Sequence, residues 1–200
     1  MPDWDSKYAA APDGLFGREP NQYLREIAAR SDFAARSALC LADGDGRNSR
    51  WLALRGVRVC ALDSSAVAVR NALALDSAAG ATVERIVADF ETWRPAAGQA
   101  FDAALLIYFQ GPAALRARAL RVAWDALAPG GWLVVEAFAK AQSARARGPD
   151  SPEHLYDLAE ITAALPDHGV LEALAGRILL DEGRRHQGEA EVVRFLAAKA

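Results

Sequence analysis

The sequence contains few of the features that suit a secreted or membrane-bound protein. Only two of its 200 residues are cysteines, Cys40 and Cys60, and each lies in an apolar segment that is typical of a buried strand. A disulfide between them is the alternative, but free buried thiols in a reducing compartment are the simpler interpretation. The first residues form neither a basic nor an apolar segment, so no signal peptide is expected. No run of about 18 apolar residues could span a membrane, and we expect a cytoplasmic protein.

Metal-ligating residues and excess basic charge are also lacking. His154, His168 and His186 are scattered, and no cluster of histidine, cysteine and aspartate has the spacing of a zinc site. The net charge of −3 argues against general affinity for nucleic acid or an anionic membrane. Neither the nucleophile elbow of a serine hydrolase nor a lysine-containing phosphate loop is found. We therefore expect a monomer or homodimer that binds a small molecule and needs no metal, nucleic acid or membrane.

The chain does contain a regular alternation of strand and helix patterns. Over residues 37–138, apolar segments of strand length alternate with amphipathic helices, which predicts right-handed crossovers and a parallel, doubly wound α/β sheet. Residues 1–36 are expected to form an N-terminal arm that packs on a single domain of residues 37–200. Within this arm, residues 1–17 are predicted to be irregular and residues 20–33 to be helical.

The C-terminal part of the chain follows a different pattern. A helix is predicted over residues 152–164, and two apolar strands are predicted over residues 171–180 and 191–198. The connector between these two strands is too short for a parallel crossover, which needs about a dozen residues or more. The sequence therefore predicts a seven-stranded sheet that is mostly parallel and ends in an antiparallel hairpin.

The strongest local signal is the loop after the first predicted strand, Leu41-Ala42-Asp43-Gly44-Asp45-Gly46-Arg47-Asn48-Ser49. Ligands of open α/β sheets bind at the carboxyl ends of the strands, and Gly44 and Gly46 allow a tight turn and a close approach of the backbone to a ligand. A tight turn without a ligand is the alternative. The fingerprint of a dinucleotide site requires a third glycine, and Ser49 stands in its place.

Acidic residues end the next two predicted strands. Asp63 follows the second strand, where a carboxylate can accept hydrogen bonds from both hydroxyls of a ribose; a cap for the helix predicted from Ser64 is the alternative. Asp89 and Phe90 follow the third strand, where they can bind the amino group of an adenine and cover its ring. A loop acid beside a core aromatic residue is the alternative there. Together with the glycine loop, these residues favour a ligand that contains adenosine.

In this order, the segments resemble the class I S-adenosylmethionine-dependent methyltransferases over about residues 37–138. The shared features are the Gly-x-Gly loop, the acids that end strands two and three, and the Leu-Ala-Pro-Gly-Gly turn at residues 127–131. The Gly-Asp-Gly-Arg-Asn-Ser stretch and both ends of the chain are similar to small bacterial proteins of the branch that contains the tellurite-resistance methyltransferases. Cys40 replaces the aspartate of the family's loop, and Ala42 replaces its first glycine. The resemblance implies a Rossmann-like fold and S-adenosyl-L-methionine as the cofactor.

The predicted site has two halves, of which the resemblance implies the cofactor-binding one. The cofactor-binding residues would be Ala42, Asp43, Gly44, Gly46, Asn48, Asp63, Ser64, Asp89, Phe90 and Ile107. Tyr108, at the end of the fourth strand, would lie where family members place the transferring methyl group. Arg184 and His186 are predicted beside the methyl acceptor from the position of their connector, which joins the last two strands near the loop after strand five; a solvated hairpin tip is the alternative. His186 is a candidate proton acceptor near neutral pH.

Cationic residues near this site indicate the type of acceptor. The loop after strand five contains Lys140, Arg145 and Arg147, which lie with the last connector on the ligand side of the sheet. As a set, these cations indicate a small anionic, thiol or metalloid acceptor, and solvated loops are the alternative. Two other functions are left as alternatives: a non-catalytic S-adenosylmethionine-binding protein, and a nicotinamide-dependent oxidoreductase, which Ser49 disfavours.

Overall fold

The computed structural model describes residues 3–144, 148–149, 151–183 and 185–200, which form a seven-stranded sheet with helices on both faces. The strands are β1 (Ser37–Leu41), β2 (Arg58–Asp63), β3 (Glu84–Val87), β4 (Phe101–Ile107), β5 (Leu127–Phe138), β6 (His168–Asp181) and β7 (Gln187–Lys199). The α-helices are α1 (Trp4–Ala9), α2 (Gln22–Ala28), α3 (Arg47–Leu54), α4 (Ala66–Ala79), α5 (Ala113–Asp125) and α6 (Leu158–Ala164). Short 3₁₀ helices cover Lys140–Ala144 and Pro152–His154.

The strand order is β3-β2-β1-β4-β5-β7-β6. Strands β1 to β5 are parallel, whereas β7 lies antiparallel between β5 and β6. The predicted doubly wound sheet with a C-terminal antiparallel hairpin is thus confirmed. Because the direction of strand order reverses between β1 and β4, a crevice for a ligand is left at the carboxyl ends of these strands.

Each face of the sheet has its own hydrophobic core. Helices α5 and α6 cover the face that includes Leu39, Leu41 and Cys60, and α2 and α3 cover the face that includes Ala38 and Cys40. Successive residues of a strand point to opposite faces, so strands covered on both faces are apolar throughout. Cys40 and Cys60 are free and buried on opposite faces, because the sheet itself separates the two thiols.

The N-terminal arm is more regular than the prediction for residues 1–17. Helix α1 forms there because the Asp3 carboxylate caps it by accepting a hydrogen bond from the Ser6 amide at 3.1 Å. Helix α2 is shorter than the helix predicted over residues 20–33. It begins after Asn21, whose side chain accepts a hydrogen bond from the amide three residues on at 2.9 Å.

The helix predicted over residues 152–164 is interrupted in the structure. Tyr156, between the 3₁₀ turn and α6, forms a strand-like bridge with Ala139, which separates the two helical pieces. Asp157 then caps α6 by accepting a hydrogen bond from the Ala159 amide at 2.9 Å. In the described part of the chain, no helix combines the length and the apolar character needed to cross a membrane.

Candidate functional site

A cavity of about 260 Å³ opens at the carboxyl ends of β1, β2 and β4, in the crevice where the strand order reverses. Trp4, Tyr8 and Phe16 of the N-terminal arm form one of its walls. The residues predicted from the sequence that line this cavity are Ala42, Asp43, Asn48, Asp63, Ser64, Asp89, Phe90, Ile107, Tyr108 and His186. The structure therefore brings both halves of the predicted site to one cavity.

Gly44 and Gly46 do not line the cavity, because neighbouring side chains cover them. Their φ angles of +60° and +82° are left-handed conformations that favour glycine. A Cβ atom at Gly44 would collide with the Tyr8 hydroxyl, and one at Gly46 would collide with the Arg85 guanidinium. The close approach that these glycines allow is thus to side chains of the protein itself, which corrects the expectation that both face a ligand.

The carboxylate of Asp43 belongs to a buried ion pair. Arg85 of β3 donates from Nη1 to Asp43 Oδ2 at 2.9 Å and from Nε to Asp76 Oδ2 at 2.6 Å, and the Ser49 hydroxyl also donates to Asp43. The side chains of Asp43 and Arg85 are each 2% exposed. Burial raises the pKa of Asp43 to about 6, although the Arg85 guanidinium opposes this shift. The Asp43 carboxylate therefore anchors the glycine loop, while Asp43 still lines the cavity as predicted for a cofactor-binding residue.

Asp63 joins the glycine loop to the start of α4. Its Oδ2 accepts a hydrogen bond from the Gly44 amide and its Oδ1 accepts one from the Ser65 amide, both at 2.8 Å. The helix cap is Ser65, whose hydroxyl accepts a hydrogen bond from the Ala68 amide at 3.0 Å, so the cap role considered for Asp63 belongs to Ser65. Each carboxylate oxygen has a second lone pair, so Asp63 can accept two further hydrogen bonds. Burial raises the pKa of this carboxyl group.

Asp89 and Phe90 lie where the chain leaves β3. The exposed Asp89 side chain accepts a hydrogen bond from the Glu91 amide at 2.8 Å. Phe90 is buried and packs edge-on against Phe109, with 5.1 Å between the ring centroids. The two rings give this end of the cavity an apolar wall with a carboxylate at its rim.

Tyr108 follows the last residue of β4 in a left-handed conformation, with φ +53°. Its amide donates a hydrogen bond to the Glu136 carbonyl at 2.6 Å. Its ring lies 4.9 Å from Phe138 and 4.1 Å from His186, centroid to centroid. Burial and the Glu136 carboxylate raise the pKa of Tyr108 well above its ordinary value, so the phenol stays protonated at neutral pH.

His186, in the connector between β6 and β7, is buried beside a polar cluster. Its Nδ1 lies 3.2 Å from Nη2 of Arg47, and the same Arg47 nitrogen donates to Glu182 Oε2 at 2.9 Å. The Asn21 side-chain amide donates to Glu182 Oε1 at 2.9 Å. The connector is thereby tied to α3 and to the N-terminal arm, and the ring of Phe16 lies 5.1 Å from that of His186.

The comparisons with known proteins agree with this geometry. Residues 38–131, which contain the glycine loop and end within β5, match the family model of the methyltransferase domain. The chain carries a class I S-adenosylmethionine-dependent methyltransferase domain. The methyltransferase therefore uses S-adenosylmethionine, and the nicotinamide-dependent alternative is wrong. No curated protein matches the sequence significantly.

Solved structures share the fold of this methyltransferase at low sequence identity. A protein from echinomycin biosynthesis, described by the conversion of a disulfide bond into a thioacetal group, has 17% identity and a TM-score of 0.74, covering 98% of this chain and 90% of that chain. NodS, an N-methyltransferase from Bradyrhizobium japonicum WM9 in complex with S-adenosyl-L-homocysteine, has 16% identity and a TM-score of 0.72, covering 96% and 95%. TehB from Haemophilus influenzae has 14% identity and a TM-score of 0.69, covering 98% and 67%.

The residues of the cavity fit the cofactor of the methyltransferase. The lone pairs that Asp63 retains suit the two hydroxyls of a ribose, and the rings of Phe90 and Phe109 suit the faces of an adenine. Asn48, at the start of α3, uses its Oδ1 to accept a hydrogen bond from the Asn21 amide at 2.8 Å, which leaves its amide nitrogen as the group for a ligand. When bound, S-adenosylmethionine supplies an electrophilic methyl group.

Of the cationic residues predicted near the acceptor, the structure describes Lys140. Lys140 donates to Glu160 at 2.6 Å and is half exposed, so it belongs to a surface ion pair. Arg145, Arg147 and Arg184 lie outside the described residues. Within the described ranges, no group of three or more histidine, cysteine, aspartate and glutamate side chains could hold a metal ion.

Sequence reasoning missed the side chains that hold the site together. Arg85 lies in a short strand pattern with no ligand signal, and only the surplus of acids in the glycine loop indicated that a buried cation was needed. Arg47 and Glu182 were part of the segments that carry the resemblance, but nothing in their spacing indicated that they meet at His186.

Proposed function

We propose that this methyltransferase methylates a small molecule that binds between the N-terminal arm and the connector after β6, against Tyr108 and His186. The observation that carries the proposal is the group of three aromatic rings, those of Phe16, Tyr108 and Phe138, around the buried His186 imidazole. The arm also covers the cavity, since the Leu15 amide donates to Asp45 in the glycine loop at 2.6 Å. A site under such a cover suits a small acceptor better than a macromolecule.

The chain's own residues would act by positioning. Methyl transfer is an in-line displacement, and holding both reactants in line supplies much of the rate enhancement. In this proposal, Asp63 binds the ribose, and Ser64, Asp89 and Phe90 surround the adenosine. The rest of the cofactor lies against the lining residues Ala42, Asp43, Asn48 and Ile107. Tyr108 is protonated and can donate a hydrogen bond beside the methyl group but cannot accept a proton.

We propose a thiol or a metalloid oxyanion as the acceptor. A soft nucleophile of this kind needs little help from a general base, and the aromatic surroundings of His186 suit a polarisable atom. The sulfur chemistry described for the structurally similar protein of echinomycin biosynthesis supports a thiol. The net charge of −3 and the acids of the cavity make nucleic acid a poor acceptor.

A thermal-shift panel followed by transfer assays tests this function. A ligand at about a hundred times its dissociation constant stabilises the folded protein by about 2.7 kcal/mol. For a chain of this size, adenosylhomocysteine at that concentration should therefore raise Tm by about 5–10 °C. NAD is expected to leave Tm unchanged. Transfer of a labelled methyl group to a panel of thiols, selenite and tellurite should then give product with at least one of them. Binding of adenosylhomocysteine together with labelling only of added nucleic acid or protein would contradict the proposed acceptor.

A further inference from the structure

The hydrogen bonds of Arg47 determine where His186 carries its proton. The Arg47 side chain is 6% exposed, and its Nη1 donates to the carbonyls of Glu19 and Glu182 at 3.1 and 3.3 Å. Its Nη2 donates to Glu182 Oε2 at 2.9 Å and lies 3.2 Å from His186 Nδ1. The four hydrogens on these two nitrogens therefore meet four acceptors, provided that Nδ1 of His186 accepts.

The Arg47 guanidinium excludes the tautomer of His186 that carries its proton on Nδ1. Arginine stays protonated and has donors but no acceptor, so a hydrogen on His186 Nδ1 would face a hydrogen of Arg47. The competing partner is Glu182, whose Oε2 lies 3.7 Å from the same Nδ1, beyond hydrogen-bond distance. The backbone of His186 is fixed because its amide donates to the Gly183 carbonyl at 3.0 Å and its carbonyl accepts from the Glu182 amide at 2.8 Å. The imidazole ring packs among the rings of Phe16, Tyr108 and Phe138.

We infer that His186 meets the methyl acceptor as a neutral hydrogen-bond donor through its Nε2–H, and that Arg47 is the positioning residue that fixes this tautomer. The inference rests on the proposed function for the location of the acceptor. Among the described residues none forms a hydrogen bond with Nε2, and His186 lines the cavity. Burial and Arg47 lower the pKa of His186, while Glu182 acts in the opposite direction. Among the described residues, the protonated Tyr108 also packs against the ring.

If His186 is a fixed hydrogen-bond donor and does not take up a proton, fewer classes of methyl acceptor suit the site. It suits an electron-rich atom that arrives without its proton, such as a thiolate sulfur or an oxyanion oxygen. Methylation of such an atom forms one bond to the methyl carbon and breaks the bond from that carbon to the sulfonium sulfur, which keeps the electron pair. The reaction then balances without a proton being taken up by the protein, so His186 does not have to act as a base.

Nitrogen NMR of the histidine rings tests the tautomer without any acceptor. Long-range ¹H–¹⁵N correlations would be recorded at pH 7 on the ¹⁵N-histidine-labelled protein saturated with adenosylhomocysteine, with His186→Gln and His168→Asn to assign the rings. We expect a neutral His186 ring with the proton on Nε2 and a bare Nδ1. The inference would be overturned by a proton on Nδ1, which is expected if Glu182 and not Arg47 determines the tautomer. A doubly protonated ring would also overturn it. The wild-type spectrum alone decides the tautomer of His186, so the test does not need an Arg47 variant that folds.

Turnover of two His186 variants tests the donor role. The side-chain amide of glutamine places an N–H near the position of Nε2 but cannot take up a proton, so His186→Gln should keep turnover within about fivefold, whereas His186→Leu should lose at least about tenfold. The assay would use whichever of the thiols, selenite or tellurite the wild type methylates, with His168→Asn, outside the cavity, as the unchanged control. If both His186 variants lost turnover equally, and wild-type kcat/KM rose with pH through the titration range of a histidine, His186 would be a general base and not a donor. If none of these acceptors is methylated, the proposed function fails, and the NMR spectrum still decides the tautomer.

Discussion

Replacement of Arg85 by methionine should destabilise the protein strongly, because it leaves the Asp43 carboxylate buried without its cation. The side chains of Arg85 and Asp43 are 2% exposed and that of Asp76 is 6% exposed. Removal of one partner of a buried ion pair typically costs about 3–5 kcal/mol, against a total stability of about 5–15 kcal/mol for a domain. Protonation of Asp43, whose pKa is already raised to about 6, offsets part of this loss. We therefore expect Arg85→Met to lower the free energy of unfolding by about 3 kcal/mol at pH 7.

Urea unfolding at pH 7, followed by circular dichroism, measures this loss. The matched control is Arg118→Met, since Arg118 and Glu91 form an ion pair at 4.0 Å with both side chains about half exposed, and exposed pairs contribute about 0–1 kcal/mol. A double-mutant cycle with Asp43→Asn should give a coupling energy of about 1–3 kcal/mol. Calorimetry should also show weaker adenosylhomocysteine binding, because Arg85 supports the glycine loop. Losses for Arg85→Met that are no larger than for Arg118→Met would refute the reasoning.

Three further predictions follow from the same loop. Asp63→Ala should weaken adenosylhomocysteine binding by about 2–4 kcal/mol in calorimetry and also lower the free energy of unfolding by about 1–3 kcal/mol, since the Gly44 amide loses its acceptor; retained affinity would contradict the ribose role. Gly44→Ala should lower the free energy of unfolding more than Gly80→Ala does, because both glycines have positive φ but only Gly44 faces a side chain, that of Tyr8. The difference between the two losses should become smaller in a protein that also carries Tyr8→Phe. The ordinary pKa of Asp43 is 3.8 and its pKa in the folded protein is about 6, so the folded state binds a proton on this carboxyl group more readily than the unfolded state does. The stability that this protonation contributes is therefore lost as pH rises from about 4 to about 6. Urea midpoints across this range should therefore fall less steeply with pH in Asp43→Asn than in the wild type, and parallel curves would contradict the shift.

The architecture could be predicted because it depends on local patterns. The apolar segment that becomes β4 is buried along nearly its whole length, and the short connector before β7 permits an antiparallel neighbour only. The boundaries that differ depend on contacts made elsewhere. Helix α1 begins at a capping aspartate that composition alone does not reveal, and the break before α6 arises from the bridge between Ala139 and Tyr156.

The sequence by itself determined the order of the elements, the edge of the sheet at which the cavity opens and the type of domain. Periodicity and turn residues indicate the burial and direction of the chain near each position. Only the tertiary structure decided which charges neutralise one another. Asp43 and Arg85 lie 42 positions apart, and Arg47 and His186 lie 139 apart. Such pairs form after the crossovers have brought distant strands side by side, and a side-chain partner at that separation leaves no periodic trace in the sequence.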